Sequence, residues 1–226
     1  LWRASAPDRA VDLSLPPEAT PQRDRSRGPG PGPGSGPGPG PGPRRWQPTW
    51  TQAALAPRGD RLYLGVASPG GVELQVWSLA GNRASRGNWP DALTRITVLA
   101  LSPDGATLAL GDRGGGITLV ETAQGTVLGH FAATDASDGI ITALAFAPTG
   151  SSRLAAGTKQ GAVLLYPLDG AEPRPPMRLT EHRGAVLNLV FGVGGTRLAS
   201  TGEDKVVRVW NLDRLAQELA HLGLAW

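Results

Sequence analysis

Four segments of this chain align with one another at a nearly constant interval, and that periodicity restricts the fold more than any other feature. They are residues 53–79 (AALAPRGDRLYLGVASPGGVELQVWSL), 98–121 (VLALSPDGATLALGDRGGGITLVE), 143–167 (ALAFAPTGSSRLAAGTKQGAVLLYP) and 188–211 (NLVFGVGGTRLASTGEDKVVRVWN). Their anchor hydrophobes are Leu55, Leu101, Phe146 and Phe191, spaced 46, 45 and 45 residues apart. An interval of about 40–45 residues matches a unit of four short strands. Residues 186–191 and 206–210 alternate in polarity and are rich in β-branched side chains, as strands are. Turn residues separate the strands, as in Pro103-Asp104-Gly105, Arg58-Gly59-Asp60 and Gly194-Gly195. Gly114-Gly115-Gly116 lacks the lysine and the helix of a phosphate-binding loop, so a hairpin turn explains it better. No helical period intervenes between these strands, and the body of the chain is predicted to be all-β.

The last repeat adds chemistry. His182, Ser200, Asp204 and Trp210 follow one another at separations of 18, 4 and 6 residues. A serine, a histidine and an aspartate this close raise the question of a hydrolytic triad. A nucleophilic serine needs a strained, exposed elbow such as G-x-S-x-G, and Ser200 stands in LASTG. These residue types at these separations, between two alternating segments, resemble the WD-repeat (WD40) family. The resemblance implies a β-propeller: here a partial one, with four recognisable four-stranded antiparallel blades, the remnant of a fifth and a short C-terminal helix. It also implies that the four side chains form a structural tetrad: the imidazole bonds the turn carboxylate and the serine hydroxyl, and the hydroxyl takes the indole N–H. The expected catalytic set is therefore empty.

The other repeats match the family less fully. The aromatic position of the third strand holds Trp77, Val120, Tyr166 and Trp210, and neither tryptophan is followed by aspartate. Gly129-His130 precedes the third repeat, His182 follows Glu181 rather than glycine, and the first two repeats have no histidine. The tetrad roles carry over only to the last repeat.

The ends of the chain differ from its middle. Leu1-Trp2-Arg3 reads as the end of a third strand, with residues 10–15 (AVDLSL) as the fourth strand of that earlier blade. Residues 16–45 are a Gly/Pro-rich insert, and 28–43 is nearly pure Gly-Pro with period two. Collagen needs glycine at every third position, so the insert is expected to be an extended, disordered excursion. Blades then occupy 46–211, and 212–226 forms a C-terminal amphipathic helix and tail. In that tail Leu212, Leu215, Leu219 and Leu222 recur at helical spacing up to Gly223. A leucine helix followed by G-L-x-W resembles the C-terminal ends of bacterial WD-repeat proteins. The simplest use of its stripe is as a cap on the propeller edge. No fourth strand follows Trp210, so the last blade is expected to expose an edge and to favour self-association.

Charge placement decides against nucleic acid as a partner. The pI is near 9.9, yet residues 1–45 carry seven arginines against four acidic residues while 46–226 are balanced. A neutral propeller offers no phosphate-binding stripe. Cysteine is absent and the histidines at 130, 182 and 221 are scattered, so neither disulfide nor metal site is expected, and no cofactor. No run reaches the ~18 apolar residues of a membrane helix, no signal peptide is visible, and a cytoplasmic location is expected. Pro173-Arg174-Pro175-Pro176-Met177-Arg178 fits a polyproline ligand pattern, but an edge strand blunted by proline accounts for it more simply.

The function expected on these grounds is a non-catalytic protein–protein interaction scaffold, with loops on a rigid frame carrying recognition. Candidate contact residues in the loops near the channel entrance are Asp91, Arg95, Asp135, Asp138 and Arg183. The alternative is the regulatory tail of a larger bacterial enzyme, such as a serine/threonine protein kinase or a peptidase, with its catalytic domain upstream.

Overall fold

The computed structural model describes residues 49–68, 71–79, 83–85, 96–132, 139–148, 152–169 and 174–223. The expected fifth-blade remnant at 1–15 and the Gly-Pro insert at 16–45 lie outside the described residues, as does Pro173.

The strands form four separate antiparallel sheets in chain order. The first holds β1 (Thr49–Leu55), β2 (Arg61–Ser68), β3 (Gly71–Ser78) and β4 (Arg83–Ser85). The second holds β5 (Ile96–Leu101), β6 (Thr107–Asp112), β7 (Ile117–Glu121) and β8 (Val127–Phe131). The third holds β9 (Ile141–Phe146), β10 (Arg153–Thr158), β11 (Ala162–Pro167) and β12 (Met177–Thr180). The last has three strands, β13 (Val186–Phe191), β14 (Arg197–Gly202) and β15 (Val207–Asn211), and runs straight into α1 (Leu212–His221). Each sheet is an up-and-down meander, so the repeat seen in the sequence is one blade of a partial, unclosed β-propeller.

Register carries the repeat into three dimensions. Leu55–Leu62–Trp77, Leu101–Leu108–Val120, Phe146–Leu154–Tyr166 and Phe191–Leu198–Trp210 form the same cross-strand row in the four blades. A bulge interrupts every inner strand near its start, skipping residues 51, 97, 142 and 187 in turn.

The inner strands stand side by side in the order β1, β5, β9, β13. Three apolar clusters fill the joints between successive blades. Tyr63 and Leu74 meet Ile96, Leu99 and Leu108 in the first joint; Val98, Ala109 and Ile117 meet Ile141, Leu154 and Tyr166 in the second. Ala143, Ala155, Val163 and Leu165 meet Val186, Leu189 and Leu198 in the third, where Leu212 at the start of α1 is also fully buried. Apolar burial of this kind is the main driving force for stacking.

Two polar and steric devices set the inner ends of these joints. Thr97 Oγ1 donates to the Ile141 carbonyl at 2.5 Å, and Thr142 Oγ1 donates to the Val186 carbonyl at 2.6 Å. Close approach also needs a missing side chain. A Cβ at Gly111 would lie 2.6 Å from Ile141 Cγ2, and one at Gly157 would lie 2.5 Å from Val186 Cγ1.

Helix α1 starts with an Asn211 cap, whose side chain accepts from the Arg214 N–H at 3.0 Å. Leu212 is buried and Leu215, Ala216 and Leu219 are half-buried, so the predicted stripe does pack, but Leu222 is 74% exposed. The helix stops at His221, so Leu222 is its cap rather than a member of the packed face.

Candidate functional site

β14 and β15 carry three of the four side chains singled out in the last repeat, and the segment between β12 and β13 brings the fourth across. The serine is in the middle of β14, the tryptophan near the end of β15 and the aspartate in the turn joining them. His182 Nε2 lies 2.8 Å from Ser200 Oγ, and His182 Nδ1 lies 2.9 Å from Asp204 Oδ1. Trp210 Nε1 donates to Ser200 Oγ at 3.1 Å. A carboxylate only accepts, so the imidazole proton sits on Nδ1; Nε2 then accepts from the serine hydroxyl, whose oxygen accepts from the indole. Each group has a partner, which is what a buried polar set requires. His182 and Ser200 are buried, with 7% and 1% exposure.

Asp204 is the hub. Besides the imidazole it accepts from the backbone N–H of Arg183 at 3.2 Å, the N–H of Val206 at 3.2 Å and Arg208 Nη1 at 3.0 Å. Burial works against its charge, but the bonds from His182, Arg183, Val206 and Arg208 outweigh it and hold the carboxyl well below the usual carboxylate range. Arg208 was not singled out by the sequence reading; its separation of four residues from Asp204, across a tight turn, was the available signal. It also approaches Glu181, at 3.8 Å.

The Ser–His–Asp order of contacts is that of a hydrolytic triad, and the surroundings are not. Ser200 lies mid-strand and almost fully enclosed, and its oxygen is already taken by the Trp210 indole. An acyl carbonyl would have no approach to that oxygen.

His130 is exposed within β8 and contacts Thr118 Oγ1 through Nδ1 at 3.2 Å. Arg183 is exposed, with its backbone tied to Asp204. Asp91, Arg95, Asp135 and Asp138 lie outside the described residues. Among the described residues no group of three or more His, Cys, Asp or Glu side chains could hold a metal ion. No helix there is long and apolar enough to cross a membrane.

Residues 173–211 match the family model "WD domain, G-beta repeat". DDB1- and CUL4-associated factor 13 of Dictyostelium discoideum is 34% identical over 89 residues, which are 39% of this chain and 18% of that protein. The crystal structure of the RRP9 WD40 repeats superposes with a TM-score of 0.61 at 22% identity, over 76% of this chain and 50% of that one. A chain in the crystal structure of the mitotic checkpoint complex does so with a TM-score of 0.61 at 20% identity, over 72% and 48%. The chain thus spans less than a fifth of the Dictyostelium relative's length and about half of the two solved chains. Residues 173–211 are thus similar to one WD repeat, and the solved structures support a β-propeller fold for the described blades.

Proposed function

We propose that this chain is a non-catalytic platform for protein–protein interaction, and that the exposed outer edge of its last described blade also lets it self-associate. The observation that carries the reading is the engagement of His182, Ser200, Asp204 and Trp210 with one another. The residues most able to do chemistry serve as bracing inside one blade. They hold the turn that carries exposed Arg183 and leave recognition to the loops. The proteins similar to this chain fit the reading: one is by name a factor associated with two other proteins, and one solved chain comes from a multi-protein complex. Neutral charge over 46–226 favours protein over nucleic acid as the partner. No observation favours the regulatory-tail alternative.

Affinity capture with the wild type and with Arg183→Glu, at matched concentration and unchanged circular dichroism, tests this. The wild type should retain a defined set of proteins that the charge reversal depletes. Capture of nucleic acid alone, or an identical set with Arg183→Glu, would sink the reading. So would a substrate turnover that disappears in a folded Ser200→Ala protein.

A further inference from the structure

The hairpin turn between the second and third strands lies on one rim of the row of blades, and in three successive blades it carries a cation. The β6–β7, β10–β11 and β14–β15 turns hold Arg113, Lys159 and Lys205, spaced 46 residues apart and all exposed. Arg183 reaches the same rim from the segment before β13: it is exposed, and its N–H is bound by Asp204 in the β14–β15 turn. These turns adjoin one another through the segments that enter each following blade. A Cβ at Gly161, in the β10–β11 turn, would press on the His182 carbonyl oxygen and lie 2.9 Å from that of Gly184. The Lys159 turn therefore abuts the segment that carries Arg183. The Lys159 N–H also donates to the Ile140 carbonyl at 2.9 Å, just before β9. Gly111, at the end of β6, packs on Ile141 beside it, which brings in the Arg113 turn.

The acids of this rim are turned onto the protein, and its cations are not. Asp112 Oδ1 accepts from the N–H groups of Gly114 and Gly116 at 2.6 and 2.9 Å, and Glu203 Oε2 accepts from the Ala185 N–H at 3.2 Å. Asp204 is inside the brace, and Glu181 stands beside Arg208. Among the described residues none of Arg113, Lys159, Arg183 and Lys205 forms an ion pair, whereas Arg61, Arg174 and Arg214 pair with Asp60, Asp169 and Glu218. Solvated charges of this kind contribute little to folding, so the fold itself gives no reason for the row. The opposite rim has no counterpart: before the turn glycine of its hairpins stand Arg58, Asp104 and Gly194 in the first, second and fourth blades.

We infer that this rim binds an extended acidic segment of a partner protein, whose carboxylates meet Arg113, Lys159, Arg183 and Lys205. The inference deepens the platform reading above, and rests on it, by giving the chemistry of the partner. Exposed Glu181 and Glu203 stand among the cations and select against a polyphosphate. A nucleic acid duplex carries a negative charge about every 1.7 Å and would meet those carboxylates as well as the cations. A peptide can place its acids opposite the cations alone, since side chains on one face of an extended chain recur at every second residue. Charge complementarity of this kind sets register and on-rate more than affinity, and it weakens with salt.

Fluorescence anisotropy of a labelled peptide of alternating glutamate and serine, titrated with the full chain, tests this. The wild type should bind it saturably, and less tightly as salt is raised. Arg113→Glu and Lys159→Glu should each weaken binding about tenfold, because reversal removes an attraction and adds a repulsion. Arg197→Glu should bind as the wild type does, since Arg197 is exposed at the start of β14, on the opposite rim. All three substitutions are at exposed positions, and circular dichroism should confirm an unchanged fold. A wild type that does not bind the peptide overturns the inference, as does binding that Arg113→Glu and Lys159→Glu leave intact. An equal loss with Arg197→Glu overturns it too, since that outcome means attraction to net charge and not to this rim. An oligonucleotide held more tightly than the peptide, with the same variants affected, overturns it in favour of nucleic acid. Captured proteins that excess peptide fails to displace defeat only this inference; peptide binding in the expected pattern with no protein captured defeats only the platform reading.

Discussion

The third and fourth blades share a register and solve the same packing problem by opposite means. The third is enclosed on both faces, and its central column is apolar: Ala156 stands where the fourth blade has Ser200, and Tyr166 where it has Trp210. Leu154, Ala155, Val163, Leu164 and Leu165 are all buried. Among the described residues the fourth blade has one neighbour and three strands, and three of the five residues of β15 are exposed. Its centre is instead braced by hydrogen bonds through His182, Ser200, Asp204 and Trp210. A blade between two others is held by burial, which is not directional. A blade at the end of a row lacks half of that burial and depends more on a satisfied polar set.

The sharpest way to break this contrast is at the hairpin turn before the third strand of each blade. Gly161 has φ +91°, and a Cβ there would lie 2.3 Å from the His182 carbonyl oxygen. That contact is with backbone, which cannot move aside. Gly161→Ala should therefore cost about 3 kcal/mol, combining left-handed strain with overpacking. Denaturant melts should show a lower midpoint. If the loss is under about 0.5 kcal/mol, the two blades are not seated through this turn.

Next in size is the brace itself. Ser200→Ala removes the group that both the imidazole and the indole use, leaving buried polar atoms without partners. The expected loss is about 2 kcal/mol. Denaturant melts followed by circular dichroism report it, and a double-mutant cycle with Trp210→Phe should show coupling. Additive effects would mean that the quartet is a coincidence of packing and not a network.

Asp204 makes the comparison pH-dependent. Its folded pKa is depressed by its hydrogen-bond donors, His182, Arg183, Val206 and Arg208, which outweigh burial. In the unfolded chain it titrates near the ordinary value of about 3.9. Between those two values the unfolded state holds the extra proton, so the contribution is complete above the ordinary value and is lost as pH falls below it. Wild type should exceed Asp204→Asn in stability by a constant margin from about pH 7 to pH 5, and the margin should shrink below about pH 4. Asp104, held low by its bond from Ser102 and the Ala106 N–H, adds to the slope of both proteins and cancels in the difference. A margin that does not change with pH would place the aspartate's role outside its charge.

Much of this was legible in the sequence because it is local. Strand alternation, glycine turns and the 45-residue interval all lie within a few residues or in a simple period. The spacing of His182, Ser200, Asp204 and Trp210 is likewise a pattern along the chain. The threonine latches were not visible. Thr97 and Thr142 each bond a backbone carbonyl 44 residues away, and any residue type could supply that acceptor. The role of Arg208 was hidden for a related reason: an arginine in an alternating strand reads as a solvated side chain until the turn is folded beneath it. The leucine stripe runs to Leu222, one residue past the end of α1, since only the cap geometry shows where the helix stops.

Tyr166 tests the apolar column of the third blade. Its hydroxyl is buried without a hydrogen-bond partner, and burial pushes the phenol up to about 12. The ring is held by packing, including a tilted contact with Phe131 at 4.8 Å between centroids. Tyr166→Phe keeps the ring and removes the unsatisfied oxygen. Thermal unfolding should move upward, by about 1 kcal/mol at most. A clear loss of stability would show that the hydroxyl has a partner after all, and that the third blade is braced like the fourth.

The smallest effect belongs to Lys205, the counterpart of Gly161 in the fourth blade. It has φ +62°, the only positive φ on a non-glycine residue among the described residues. Among the described residues no blade lies beyond it, and its side chain is exposed, so lysine meets no steric conflict there. What remains is the intrinsic cost of left-handed backbone, about 1 kcal/mol or slightly more. Glycine relieves that cost but gives the unfolded chain more freedom, which takes back part of the gain. Lys205→Gly should stabilise by about 0.5 kcal/mol, opposite in sign to Gly161→Ala. The two substitutions exchange the same residue classes at the same register position, so their difference isolates what a neighbouring blade contributes. Effects of the same sign would mean that the fourth blade's turn is also pressed against something.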